Sequence, residues 1–207
     1  MRVVADSVRA PGVRASIAGL LAVLIGALIA GCTSGHTDDG GPDAPAASEG
    51  TPAASARVTF VPEQVTLPGG DSADVHTSST VDGELVVPED VDHLGWWDGS
   101  ASVGEAFGST VIAGHVDSAT GGVGYFARLL SIRKGERVTV HADEHRLTYR
   151  VVSVRSVSQG ALATTSAAFD QKGEHRLVLI TCTGTFRPGR GYDKNLVVIG
   201  EPLGLAR

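Results

Sequence analysis

The sequence predicts a mainly β domain, a closed or nearly closed barrel of short strands with two short helices, set behind an export segment and a flexible linker. Three observations predict it. Short apolar runs recur through the second half of the chain, separated by turn residues, and some alternate with period two. One run, residues 176–182 (RLVLITC), is almost continuously apolar, as a strand buried on both faces is. Twenty-seven glycines and 5% aromatic residues describe a loop-rich body with short strands. The chain has 207 residues. One domain takes about 100–150, so part of the chain lies outside the core. The net charge of −6 argues against nonspecific nucleic-acid binding. Basic charge is carried by 14 Arg and 3 Lys, which reads as a genome bias, not as function.

The first element is an address. Residues 1–14 carry Arg2, Arg9 and Arg14 against one acid, Asp6, and residues 15–31 carry no charge. That is the positive and apolar pair of an export signal. At 17 residues the run is at the short edge of a bilayer span. It ends in Ile29-Ala30-Gly31-Cys32, which resembles a bacterial lipoprotein lipobox. The resemblance implies cleavage before Cys32 and a diacylglyceryl group on its sulfur. The other reading is an uncleaved anchor oriented by its preceding arginines. Both expect residues 1–31 to be a signal peptide or anchor, and the rest to lie outside the cytoplasm, tethered to membrane lipid. Two acyl chains, or a span, hold such a tether firmly.

Residues 32–57 follow as linker. Between 33 and 57 there is no aromatic residue and no Val, Ile or Leu, so the stretch cannot offset its ordering entropy. Residues 58–79 are mixed and read as a transition with an early strand. The compact domain is expected over 80–207, long enough for one core. Within it, residues 84–88 form a short strand ended by proline, and residues 109–115 (STVIAGH) a strand with a small-residue exit. Residues 137–141 and 146–152 are further strands around the turn residues Asp143-Glu144. Residues 176–182 and 196–199 complete the set, with Pro188-Gly189-Arg190-Gly191 as the turn between them. Short helices are expected over 125–132 and 161–169.

Two residues carry the chemistry. Cys182 ends the most apolar strand and His115 ends another. A lone buried Cys is usually structural. A His and a Cys each closing a strand of one small sheet can act as nucleophile and general acid/base, provided both strands exit on the same side. Acyl transfer through a thioester also builds an oxyanion, which needs donors in place beforehand. Arg187 and Arg190 lie five and eight residues beyond Cys182. Other groupings are weaker. His141 and His145 flank Asp143 and Glu144 in a hairpin turn, which reads as solvated. His115 and Asp117 lack further ligands at zinc spacing. No metal or cofactor is expected. Trp96 and Trp97 read as core or groove lining.

Taken together, Leu179-Ile180-Thr181-Cys182, Ala113-Gly114-His115-Val116-Asp117, Gly95-Trp96-Trp97, Phe126-Ala127-Arg128-Leu129 and the block from Tyr192 to Val198 resemble a sortase. The class F sortases of actinobacteria are the most similar. The resemblance covers about residues 80–203. It implies an eight-stranded β-barrel and a membrane-tethered cysteine transpeptidase. The expected substrate is a Leu-Pro-x-Thr-Gly-like sorting signal of surface proteins, and the acceptor an amine of the cell envelope. His115 and Cys182 are then catalytic, and Thr181 and Thr183 support the substrate or oxyanion. The oxyanion donor is Arg190, with Arg187 as the alternative. The chain departs from the family twice. Several sortases open the final strand with the catalytic Arg, where this chain has Asp193-Lys194-Asn195. Sortases also usually keep an uncleaved anchor, whereas this chain carries a lipobox. Two other readings stay open at this point: a cysteine peptidase with water as acceptor, and a noncatalytic β-barrel binding lipoprotein.

Overall fold

The computed structural model describes residues 3–4, 60–165 and 167–204. The export segment beyond Val3 and Val4, Cys32 and the linker lie outside them. Eight strands close a barrel. They are β1 (Gln64–Thr66), β2 (Ser72–Ser78), β3 (Leu94–Trp97), β4 (Ser109–Gly114), β5 (Arg137–Ala142), β6 (His145–Ser158), β7 (Arg176–Arg187) and β8 (Gly191–Pro202). Their order around the barrel is β5-β6-β8-β7-β4-β3-β2-β1, and β1 pairs back onto β5. Most neighbours are antiparallel, but β4 runs parallel to β7 and β2 parallel to β3.

The barrel therefore begins earlier than residue 80. The segment read as a transition supplies β1 and β2, and Phe60 bridges to Val103 ahead of them. Its strands are three and seven residues long and largely polar on their outer face, so they carry little apolar signal. Closure is what makes them obligatory: without β1, the edges of β5 and β2 would be left unpaired.

Alternation explains how the core is divided. Ile112 of β4 and Leu177 and Leu179 of β7 point into the barrel, against Phe126, Tyr149 and Val198. Val111 and Ala113, and Val178 and Ile180, point outward and are covered by Leu85, Val87, Leu162 and Ala168. The run at residues 176–182 is apolar because both of its faces are covered. Leu179 is almost fully buried, and truncating such a side chain to alanine costs about 2–5 kcal/mol. The covering pieces lie outside the barrel. Glu84–Leu85 pairs with Thr80–Val81 and with Val3–Val4, and a helix, α1, spans Gln159–Thr165.

Both expected helices exist, each with a difference. Tyr125–Ser131 is a 3-10 helix that buries Tyr125, Phe126 and Leu129. The second splits into α1 and a 3-10 turn at Ala167–Phe169. Three strands run longer than their apolar centres: β6 to Ser158, β7 to Arg187, and β8 from Gly191. These extensions form a ribbon, polar along much of its length and held by main-chain pairing, which apolar periodicity does not register.

Candidate active site

The parallel pairing of β4 and β7 builds the site. Their register sets Leu177 against Thr110 and Ile180 against Ala113. Two further steps bring Cys182 level with His115, at the same exit of both strands. Parity gives both residues the outward face, in line with Val178 and Ile180 on β7 and with Val111 and Ala113 on β4. Two strands that leave a sheet side by side in one direction thus carry the thiol and the imidazole to one place.

Local contacts lock these exits. The Thr181 hydroxyl donates to the Gly114 carbonyl at 2.9 Å, inside the protein. A Cβ on Gly114 would stand 2.5 Å from Leu94 and 2.8 Å from the Phe126 ring, so only glycine lets β4 pass there. A Cβ on Gly124 would stand 2.5 Å from the His115 carbonyl oxygen, so the 3-10 helix can press its start against the histidine backbone only as glycine. Beyond the exit, Asp117–Ser118 pairs with Gly122–Val123 and holds the loop that follows His115.

The imidazole is oriented. His115 Nε2 lies 2.9 Å from the Pro88 carbonyl oxygen. A carbonyl only accepts, so Nε2 carries hydrogen and Nδ1 is the nitrogen left for proton transfer. Burial holds His115 below its usual pKa, against the opposing pull of Pro88 and Asp117. Cys182 is a free, half-buried thiol. Burial pushes it up, and Asp117 adds to that shift. At neutral pH the pair is therefore mostly thiol and imidazole, not thiolate and imidazolium.

His115 and Cys182 open onto one cleft of about 730 Å³. Arg190, Asp117, Tyr192 and Phe186 line it too. A cavity of about 950 Å³ also exists, lined by Phe60, Phe107, His145 and His175, but no thiol borders it. The smaller cleft is the candidate because the free thiol and the imidazole both border it. The two arginines separate: Arg190 borders the cleft, and Arg187 is not among its lining residues. Arg190 sits in the turn between β7 and β8, its N–H donating to the Arg187 carbonyl at 3.0 Å. The Tyr192 hydroxyl donates to Asp117 at 2.7 Å, tying the start of β8 to the loop after His115.

The remaining expected residues fall as follows. Thr181 is fully buried and its hydroxyl donates to the Gly114 carbonyl, between the two strand exits. Thr183 is half-buried and pairs with Lys194 across the ribbon. Trp96 is core, donating to the Ala101 carbonyl at 3.3 Å, and Trp97 packs edge-on against Phe169. The turn at Asp143-Glu144 is solvated, and no group of three or more His, Cys, Asp or Glu side chains placed to hold a metal occurs among the described residues. Asp193, where several sortases have arginine nearby, accepts the Thr185 N–H at 2.8 Å and fastens the irregularity in β7 that follows Thr183.

Sequence reasoning passes over Asn195 as a site residue. It is fully buried and stands directly opposite Cys182 in the β7–β8 register. The signal lies in hairpin arithmetic, and the irregularity between Thr183 and Phe186 hides it.

Comparison with known proteins agrees with this architecture. Sortase C2 of group B Streptococcus pilus island 1 is 24% identical, over 68% of this chain and 73% of its own, with a TM-score of 0.53. Sortase C-1 of Actinomyces oris is 22% identical, over 69% and 71%, with a TM-score of 0.54. Sortase A of Listeria monocytogenes is 17% identical, over 72% and 92%, with a TM-score of 0.51. These likenesses establish the fold. A search of the curated proteins finds no match. The sortase-domain family model matches residues 72–203, well over half of the chain. With the barrel, the paired strand exits and this match in place, the chain belongs to the sortase family of cysteine transpeptidases.

Proposed function

We propose that this transpeptidase is tethered to the outer face of the bacterial cell membrane and works on surface proteins there. It cleaves a Leu-Pro-x-Thr-Gly-like sorting signal and passes the acyl group to an amine of the cell envelope. The observation that carries this reading is the placement of Cys182 and His115 at adjacent, parallel strand exits on one cleft that Arg190 also borders. Family membership as a transpeptidase sets aside the noncatalytic binding-module reading.

The steps follow from the side chains. The Cys182 thiolate attacks the threonine carbonyl carbon, and the carbonyl electron pair moves to oxygen. The Arg190 guanidinium, with backbone N–H groups near Cys182, holds that oxyanion; an aimed donor of this kind contributes about 10²–10³ in rate. The tetrahedral species collapses, the Thr–Gly C–N bond breaks, and His115 gives its Nδ1 proton to the departing amine. A thioester on Cys182 remains. An incoming amine then loses a proton to His115 as it attacks, and sulfur leaves. Tyr192 and Asp117, tied to each other at 2.7 Å, line the same cleft that the incoming amine enters.

The tether in this reading is the N-terminal segment, either a span or a lipid on Cys32, with residues 32–57 as spacer. Membrane fractionation and intact mass of Cys32→Ser against wild type distinguish the two.

The test of the reaction is intact-protein mass spectrometry of the full chain in detergent with a Leu-Pro-x-Thr-Gly peptide. The expected result is an adduct of the peptide cleaved after threonine, absent in Cys182→Ala, and discharged by triglycine as a transfer product. Discharge to free acid at the same rate with and without triglycine would make the enzyme a peptidase.

A further inference from the structure

The reaction as described uses His115, Cys182 and Arg190 and leaves one buried polar group beside the nucleophile without a task. Asn195 is fully buried and lies opposite Cys182 in the β7–β8 ladder. Its Oδ1 accepts the Cys182 thiol at 4.0 Å, and its Nδ2 has no hydrogen-bond partner. A buried amide with an orphan donor is a cost to the fold. Its strand neighbours Leu196 and Val197 are apolar and equally enclosed, so an apolar side chain would suit the position on packing grounds. The amide spends its one contact on the sulfur.

The orphan donor is informative. Oxygen and nitrogen of a side-chain amide are nearly the same size, and half a turn exchanges them. Where both ends are bonded, that turn breaks a bond at the far end. Here Nδ2 has none to break. Against a thiol, Oδ1 accepts S–H. Against a thiolate, the turned amide donates N–H to the charge, and hydrogen bonds to ionised groups are the stronger kind.

We propose that Asn195 is a positioning residue that follows the protonation state of Cys182, accepting from the thiol and donating to the thiolate through a turn of its amide. It thereby offsets part of the cost of ionising a half-buried sulfur. The inference rests on Cys182 being the nucleophile. The other titratable and charged groups of the cleft that Cys182 borders come from its open side. His115 comes from the end of β4 and Asp117 from the loop after it; Arg190 and Tyr192 come from the turn and the start of β8. Burial and Asp117 push the thiol up, and Tyr192 is already engaged by Asp117. Asn195 meets the sulfur from within the ribbon.

The test is the pH dependence of iodoacetamide alkylation of Cys182, read by intact mass on the full chain in detergent. Wild type is compared with Asn195→Leu, which removes both ends of the amide, and Asn195→Asp, which keeps its shape but replaces the amide donor with a carboxylate oxygen that also repels the thiolate. The expected result is a thiol midpoint displaced upward in both, so that alkylation near neutral pH slows by about tenfold. The plateau rate at high pH stays at the wild-type level, because access to the sulfur is unchanged. An unmoved midpoint in folded variants would overturn the proposal and leave Asn195 as packing. Should either variant fail to fold, the wild type still answers. The Asn195 side-chain amide NMR signals are expected to move with the Cys182 midpoint and to stop titrating in Cys182→Ser; signals that ignore that midpoint would overturn the proposal equally. The peptide adduct reports separately on the nucleophile, so an adduct in wild type with unmoved midpoints sinks this inference alone.

Discussion

The Pro88 carbonyl decides which nitrogen of His115 can move a proton, and burial decides how often the pair is charged. Because His115 is held down and Cys182 pushed up, the active thiolate–imidazolium form is a minority at every pH. Its share is constant between the two midpoints. It falls below the histidine midpoint, where the thiol keeps its proton while histidine is already charged. It falls above the cysteine midpoint, where histidine has none to give. The expected kcat/KM profile is thus a bell, with acid and alkaline limbs that belong to the coupled pair. A profile that kept rising through the thiol midpoint would mean that His115 is not the acid. Arginine carries the second residue-scale prediction. Arg190→Ala is expected to lower kcat by about 10²–10³ with KM little changed, and Arg187→Ala to stay near wild type. The reverse ranking would move the oxyanion donor to Arg187. The meeting of His115 and Cys182 in one cleft was legible in the sequence because each closes an apolar run. The choice between the arginines was not, since both lie within the same few loop residues and only the turn at Arg187–Arg190 turns one of them to the cleft.

At the scale of elements, the site depends on two parallel strands keeping one register. The Thr181–Gly114 bond lies one step before Cys182 and His115 and ties the strands where ladder pairing ends. Thr181→Val keeps the shape and removes the hydroxyl. It is expected to cost about 1–2 kcal/mol of stability, visible as a lower midpoint in urea. It should also lower kcat while KM holds, because the thiol and imidazole lose alignment before the substrate loses its cleft. Unchanged kcat in the folded variant would show that the ladder alone aligns them. β4 and β7 could be read from the sequence because burial on both faces leaves an unbroken apolar run. The outer half of β8 could not. Tyr192, Asp193 and Lys194 are polar, and they are strand because β7 pairs with them, a partnership no local pattern announces.

At the scale of the whole molecule, closure of the barrel is the property least visible in the chain, since β1 and β2 acquire their place only from β5 and β3. From the sequence the body reads as starting near residue 80 because residues 58–79 are mixed in character, and β1 within them has three residues with a single buried side chain between two half-buried ones. Closure also encloses groups that prefer water, and this gives the molecule a sensitivity to acid. His175 is buried, its Nε2 2.8 Å from the Tyr149 hydroxyl and its Nδ1 without a partner. Burial holds its pKa below the usual 6.5, as it does for His115. A depressed histidine is neutral in the fold at pH values where the unfolded chain already binds a proton. Stability is then complete above about 6.5, declines as pH falls through that value, and levels off once the folded protein is protonated too. The thermal midpoint is expected to drop between pH 7.5 and 5. In His175→Gln, which keeps an acceptor near Tyr149 but cannot titrate, the slope over that window should flatten, whatever the variant's midpoint at pH 7.5. His115→Ala should flatten it as well, and the double variant should respond least, since burial lowers both histidines. An equally steep slope in all three would place the acid sensitivity in the carboxylates instead.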